Sequence, residues 1–234
     1  MYTKRAVLLD GDDTLWRTQE RYDSAKNQFS ALMENAGIRD KNLVTGLDDL
    51  DAERVSIRGL TIQRFLESML IIYARQSEKH ELPYRVEIEQ TIHHIGSSLL
   101  QPPQLYDDAL PALQALSRRA RLYLYSAGDQ RLQRQKVRQL DIASFFDGIF
   151  IVPMKDERTL DRIIARTGLS PNKAWMVGNS LRSDILPATN VGVNAILLSR
   201  GAWRFDVANG SKKNKNYFSV KTLTEATEII LGRT

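Results

Sequence analysis

Residues 7–16 read VLLDGDDTLW, an apolar run that ends on three aspartates and a threonine packed into positions 10–14. A short apolar run bounded by turn residues reads as a strand buried on both faces. The acidic half admits two readings: a solvated turn that closes the strand, or a site in which several carboxylates surround one cation. The rest of the chain decides between them. Similar runs occur as AVLLD at 6–10, LYLYS at 122–126, GIFIV at 148–152, AWMVG at 174–178 and AILLS at 195–199. Helical patterns separate them. Residues 107–119 place Leu110, Leu113 and Leu116 at helical spacing, 129–140 follow the same logic, and 157–167 carry Leu160, Ile163 and Ile164 before Gly168 as a C-terminal cap. Strands alternating with helices predict an α/β fold built on a doubly wound parallel sheet.

One interval breaks the alternation. From 17 to 104 the patterns are helical, as in RYDSAKNQFSALMENAGI and TIQRFLESMLIIYARQ, and no strand run stands out. That length exceeds a single crossover, so the expected organisation is a core formed by 1–16 and 105–234 with an inserted helical domain at 17–104. QPPQ at 101–104 is a hinge candidate because proline restricts the backbone.

Composition narrows the function classes. With no cysteine, disulfides, thiolate metal ligands and cysteine nucleophiles are excluded. The hydrophobic share of 42% and charged share of 26% are ordinary for a globular chain. MYTKRAVLLDGDD does not read as a signal peptide, and no run approaches the length of about eighteen apolar residues that a membrane span needs, so a cytoplasmic protein is expected. The net charge of +5 is concentrated after residue 104, in RRAR at 118–121, RLQRQKVR at 131–138 and KKNK at 212–215. These clusters lack interleaved aromatics, and 131–138 reads as a solvated helix, so no nucleic-acid partner is expected. No heptad repeat indicates an oligomeric state.

Ligands of open parallel sheets bind beyond the carboxyl ends of the strands. Asp10, Asp12, Asp13 and Thr14 follow the first run, and Ser126, Ala127, Gly128 and Asp129 follow LYLY. Lys155 lies beyond GIFIVPM, and Asn179, Ser180 and Asp184 lie beyond AWMVG. Any one of these could be a turn or surface residue. Their joint occurrence on one rim favours a site.

This series resembles the haloacid dehalogenase (HAD) superfamily, most of whose members are magnesium-dependent phosphatases. DGDDT at 10–14 looks like its DxDxT motif, Ser126 like the second-motif hydroxyl, Lys155 like the third-motif cation and GNSLRSD at 178–184 like the fourth-motif acidic loop. The resemblance implies a Rossmann-like core, a helical type 1 cap in the insertion, a last strand and helix in 185–234, a Mg2+ cofactor and a small phosphorylated substrate. It gives Asp10 the role of nucleophile and Asp12 that of acid and base. Thr14, Ser126, Ala127 and Lys155 would hold phosphoryl oxygens, and Asp10, the Asp12 carbonyl, Asp184 and Asn179 would bind the metal.

That chemistry suits the residues. Phosphate ester cleavage needs a nucleophile, a proton source for the leaving oxygen and positive charge near the equatorial oxygens. A divalent cation among the aspartates would make their crowding tolerable. Asn179 departs from the family, where aspartate is common, and lowers the charge of the metal shell. A dehalogenase would need neither Asp12 nor a metal. The same core could also serve a phosphomutase, a phosphonatase using Lys26, Lys41 or Lys79, or a noncatalytic phosphate-binding protein. Asp13 is expected to support loop geometry, Trp16 to anchor packing, Trp203 to cover the core, and His80, His93 and His94 to have ordinary surface or packing roles.

Overall fold

A computed structural model describes residues 5–200 and 216–232. In chain order, β1 (Arg5–Leu9) and β2 (Trp16–Arg17) precede the helices α1 (Gln19–Asn35), α2 (Leu43–Glu53), α3 (Val55–Arg58), α4 (Ile62–Lys79) and α5 (Val86–Ser98). Then come β3 (Gln104–Leu105), α6 (Ala109–Ser117), β4 (Ala120–Ala127), α7 (Gln130–Gln139), β5 (Gly148–Val152) and α8 (Glu157–Thr167). The chain continues through β6 (Ala174–Gly178), α9 (Leu186–Asn190), β7 (Asn194–Leu198), β8 (Tyr217–Val220) and α10 (Leu223–Gly232). It divides into two compact units, Met1–Gln19 with Pro102–Thr234, and Glu20–Gln101.

The first unit holds a six-stranded sheet in the order β5-β4-β1-β6-β7-β8. Every pairing in it is parallel. Alternation along β1 divides the apolar side chains between two layers. Val7 and Leu9 pack in a cluster with Leu113, Leu116 and Ile230, while Ala6 and Leu8 join Leu160, Ile163 and Ile185. A strand covered on both faces has no place for polar residues until it leaves the sheet, which is why the first carboxylate of VLLDGDD falls at its end.

Several expected boundaries shift. The tail contributes β8, whose Tyr217 and Phe218 are half-buried and whose Ser219 is exposed, so it lacks the long apolar run of the other strands. β4 continues through Ala127, placing Ser126 within the strand and not after it. The expectation of no strand between 17 and 104 also fails at both ends. β2 and β3 form a short antiparallel ribbon, with Trp16 opposite Leu105 and Arg17 opposite Gln104.

The second unit has its own apolar cluster, including Phe29, Met33, Leu47, Phe65, Met69, Tyr73 and Ile92. Its α4 starts at Thr61, whose hydroxyl accepts the Arg64 amide at 3.1 Å, a standard N-cap. Arg64 then turns inward and meets buried Asp51 through two parallel contacts of 2.8 Å, and it donates to the Gly59 carbonyl at 2.6 Å. Removing one partner of such a pair leaves an uncompensated buried charge. Asp51→Ala is therefore expected to destabilise this unit by about 3–5 kcal/mol, measurable as a lower denaturant midpoint. Among the described residues no helix is long and apolar enough to cross a membrane.

Candidate active site

β1 lies where the connections change direction, with β4 and β5 on one side and β6, β7 and β8 on the other. Such a switch point opens a crevice at the carboxyl ends of the strands. The chain leaves β1 through a tight turn. The Asp10 amide still pairs with the Val177 carbonyl of β6 at 3.0 Å, while the Gly11 carbonyl accepts the amides of Thr14, Leu15 and Trp16. Any Cβ on Gly11 would overlap the Trp16 indole, which is completely buried. Glycine is thus required by a close approach, and Trp16 anchors the turn.

Asp13 takes a left-handed conformation at φ 56°. Its carboxylate accepts the amides of Thr18 and Gln19, both at 2.9 Å, and holds the chain as it turns into α1. Burial pushes the Asp13 carboxyl up to about 7, against these hydrogen bonds and with added repulsion from Asp12 and Asp10.

Lys155, in the loop after β5, joins two distant parts of the chain. Its ammonium donates to Oδ1 of Asp10 and, at 2.6 Å, to Oδ1 of Asp184. All three side chains are buried. Burial opposes the charge on Lys155, but Asp10 and Asp184 outweigh it and raise the group above an ordinary lysine. For Asp10 burial dominates, pushing the carboxyl up to about 7 although Lys155 pulls it down. Asp184 sits in a π-helical turn, Leu181–Ile185, and its Oδ2 accepts the Ser180 amide at 3.0 Å. Gly178 makes room for it, since a Cβ there would overlap the Asp184 carboxylate. Asn179 lies between Gly178 and this turn and is half-buried.

Asp12 is held by a separate set of donors. Its Oδ1 accepts Trp16 Nε1 at 2.8 Å, Thr18 Oγ1 at 2.5 Å and Lys136 Nζ at 2.5 Å, and its Oδ2 accepts Gln133 Nε2. Burial alone would favour the neutral acid, yet Lys136, assisted by Thr18 and Gln133, brings the carboxyl down to about 2. This corrects the reading of 131–138 as a wholly solvated helix: Arg131, Arg134 and Arg138 are exposed, whereas Gln133 is buried and Lys136 turns inward. A signal was present in the spacing, because Gln133 lies one turn before buried Val137 and on the same face.

Two expected phosphate-binding residues present hydroxyls in an unusual state. Thr14 Oγ1 and Ser126 Oγ are buried without a hydrogen-bond partner among the described residues. Buried hydroxyls are costly in that condition unless something pairs with them. The Thr14 carbonyl accepts Arg200 Nη1 at 2.9 Å, which ties its loop to the end of β7. Ala127 ends β4, and its carbonyl accepts Gln133 Nε2 at 3.0 Å.

The structure thus brings Asp10, Lys155 and Asp184 into direct contact and places Asp12 in a neighbouring polar cage. His80, His93 and His94 belong to the helical unit; His93 is exposed, with Nε2 3.8 Å from Glu89. Trp203 and the 212–215 cluster lie outside the described residues. Sequence reasoning missed Gln133, Lys136, Thr18 and the two space-making glycines, Gly11 and Gly178.

The donor chemistry fits magnesium. Among the described residues no three His, Cys, Asp or Glu side chains cluster as metal ligands. Asp10 and Asp184, both joined to Lys155, nevertheless present two buried carboxylates, oxygen donors of the kind a hard cation accepts. Magnesium accepts such a set because it keeps several waters. With both carboxyls ionised, the pair would carry one more negative charge than Lys155 neutralises.

A parallel Rossmann-like core with acidic residues and a lysine on its carboxyl edge is the arrangement that the resemblance to the HAD superfamily implies. Residues 4–192 match the family model for haloacid dehalogenase-like hydrolases, and the chain belongs to that family. It is 29% identical over 206 residues to the glyceraldehyde 3-phosphate phosphatase of Methanothermobacter thermautotrophicus, a match covering 83% of this chain and 85% of that protein. The N-acylneuraminate-9-phosphatase of Mus musculus is 34% identical over 104 residues, 42% of each chain. The crystal structure of a haloacid dehalogenase-like family hydrolase from Xanthomonas campestris has the same fold, with a TM-score of 0.82 at 23% identity over 98% of this chain and 91% of that one.

Proposed function

We propose that the protein is a magnesium-dependent phosphatase that hydrolyses a small phosphorylated metabolite through a phosphoaspartate on Asp10. The observation that carries this reading is the joining of Asp10 and Asp184 by Lys155 on the same sheet edge as the unpartnered hydroxyls of Thr14 and Ser126. A phosphoryl group supplies the acceptors these hydroxyls lack and the anionic charge that an ammonium attracts. The names of the relatives from Methanothermobacter and mouse support a phosphate ester as substrate.

In the first half-reaction an Asp10 oxygen attacks phosphorus, the bond to the ester oxygen breaks, and protonated Asp12 gives its proton to the leaving alcohol. In the second half, water attacks phosphorus, Asp12 takes a water proton, and the Asp10–phosphorus bond breaks to release inorganic phosphate. The low pKa of Asp12 makes the carboxylate its resting form, so the proton it gives to the leaving alcohol has first to be taken up from solvent or kept from the water consumed in the preceding turnover. Lys155 and the Thr14 and Ser126 hydroxyls stabilise the equatorial oxygens. When bound, magnesium would add positive charge next to the transferring group. Asp10, the Asp12 carbonyl, Asp184 and Asn179 would hold it.

The helical region at 17–104 is assigned the role of cap. Its independent apolar cluster supports that assignment, and structures with and without a phosphate analogue test it: an insertion that never approaches bound analogue is no cap. A phosphonatase would need a lysine with a lowered pKa to form a Schiff base. Lys26 is unsuited because, although burial opposes its charge, Asp23 and Asp48 raise its pKa.

Hydrolysis of an aryl phosphate with and without magnesium tests the reaction class, and a screen of phosphorylated metabolites led by glyceraldehyde 3-phosphate tests the substrate. A magnesium-independent rate, or no hydrolysis at all, would reject the proposal. The metal shell has its own test. Asn179→Asp is expected to lower the magnesium concentration for half-maximal thermal stabilisation, and Asp184→Asn to raise it roughly tenfold or more. Equal midpoints for Asn179→Asp and wild type would place residue 179 outside the metal's reach.

A further inference from the structure

We propose that Gln133 and Lys136 of α7 are positioning residues that hold Asp12 in its productive orientation and couple it to the phosphate-binding end of β4. This inference rests on the phosphatase reading and on the role that reading gives Asp12.

Asp12 lies on an irregular turn, where the backbone alone leaves its carboxyl free to rotate. Trp16 and Thr18, both in the segment that follows it, donate to Oδ1. Both of these contacts hold Oδ1 from the loop that carries Asp12 itself, and neither reaches Oδ2. Gln133 holds the opposite oxygen, while Lys136 adds a 2.5 Å ion pair on Oδ1 from the next turn of the same helix. With donors on both oxygens from residues 121 and 124 positions away in sequence, the plane of the carboxyl group is fixed against the core and not merely against its own loop.

Gln133 also spans two parts of the site. Its Nε2 donates both to Asp12 Oδ2 and to the Ala127 carbonyl, at 3.0 Å, one residue beyond the Ser126 hydroxyl expected to meet phosphate. A shift of the β4 end therefore reaches Asp12 through one amide. α7 is itself set rigidly on that loop, because Asp129 caps it by accepting the Leu132 amide at 2.7 Å. The placement is costly to maintain, since a glutamine and a lysine are turned into the fold from a helix whose three arginines remain in solvent. A general acid and base must sit within hydrogen-bond reach of the proton it moves, and misplacement by about 1 Å can lower a rate about a hundredfold.

The test combines single and double variants on an aryl phosphate with magnesium. Lys136→Met and Gln133→Leu are expected to lower kcat about 10- to 100-fold with KM changed less than about threefold, and Lys136→Arg to recover at least a third of the wild-type kcat. In an Asp12→Asn background neither substitution should reduce kcat further, because residues that act through Asp12 have nothing left to position. A full additional loss in that background, a kcat for Lys136→Met equal to wild type, or a rise in KM with kcat unchanged would overturn the proposal. If Lys136→Met fails to fold, Gln133→Leu and Lys136→Arg carry the same comparison. Failure of the underlying reading looks different: Asp12→Asn itself would then turn over like wild type.

Discussion

Asp10→Asn is expected to leave the fold intact and reduce turnover on the order of 10⁴-fold or more, the scale seen when a nucleophile is removed from a coupled active site. The amide keeps the size of the side chain but cannot attack phosphorus. It also spares the ion pair between Lys155 and Asp184, which keeps the lysine partnered in the variant. Burial holds the Asp10 carboxyl near 7, so replacing it with a neutral group removes a charge the folded state accommodates poorly. The variant should consequently be at least as stable as wild type in thermal denaturation at pH 8 without magnesium. The sign follows from proton binding. Between its ordinary value of 3.8 and about 7 the folded state binds the Asp10 proton more tightly than the unfolded chain, so this group's contribution to stability declines as pH rises through that interval. Turnover comparable to wild type would exclude Asp10 as the nucleophile.

The second large effect is expected at Asp12. Asp12→Asn should lower kcat by about 10²–10⁴-fold, the usual range for loss of a positioned acid and base. Its signature differs from that of Asp10→Asn. With an aryl phosphate the leaving group departs without help, so the first half-reaction proceeds while water activation fails, and phosphoenzyme accumulates. Acid quenching followed by mass spectrometry should find the phosphate on Asp10. A phosphorylated residue elsewhere, or no accumulation despite a slow turnover, would contradict the assigned roles. The asparagine oxygen can keep the Trp16, Thr18 and Lys136 contacts, whereas its NH2 meets the Gln133 amide and requires that side chain to turn, so thermal denaturation of Asp12→Asn is measured alongside kcat to separate a chemical defect from a disturbed loop.

Much of this arrangement is legible in the sequence because buried parallel strands leave a strong pattern. Asp10, Asp12, Lys155 and Asp184 are charged residues that follow apolar runs, and a charge cannot enter such a run without losing its hydration. The contrast marks both where a strand ends and which edge of the sheet is polar. Gln133 and Lys136 escape the same reasoning. They stand among the arginines and glutamines of a polar helix, where inward and outward polar residues look alike, and the cage they complete belongs to Asp12, more than a hundred residues earlier. β8 is visible only through family resemblance because its length and exposure blur the apolar signal. The β2 and β3 ribbon is too short to generate a period at all. Gly11 and Gly178 are conspicuous only once the Trp16 ring and the Asp184 carboxylate are seen against them.

The central position of β1 also dictates an order of assembly during synthesis. Arg5 pairs with Ala120 and Ala6 with Ala174, so β1, made before its neighbours in the sheet, must wait for partners made much later. The helical unit, complete at Gln101 and stocked with its own apolar cluster, emerges before either partner. Helical contacts of short sequence separation form faster than parallel pairings between distant strands. A nascent chain stalled near residue 150 should therefore protect amides in α4 while those of β1 still exchange, and the edge of β1 awaiting β6 would be the segment most exposed to a chaperone.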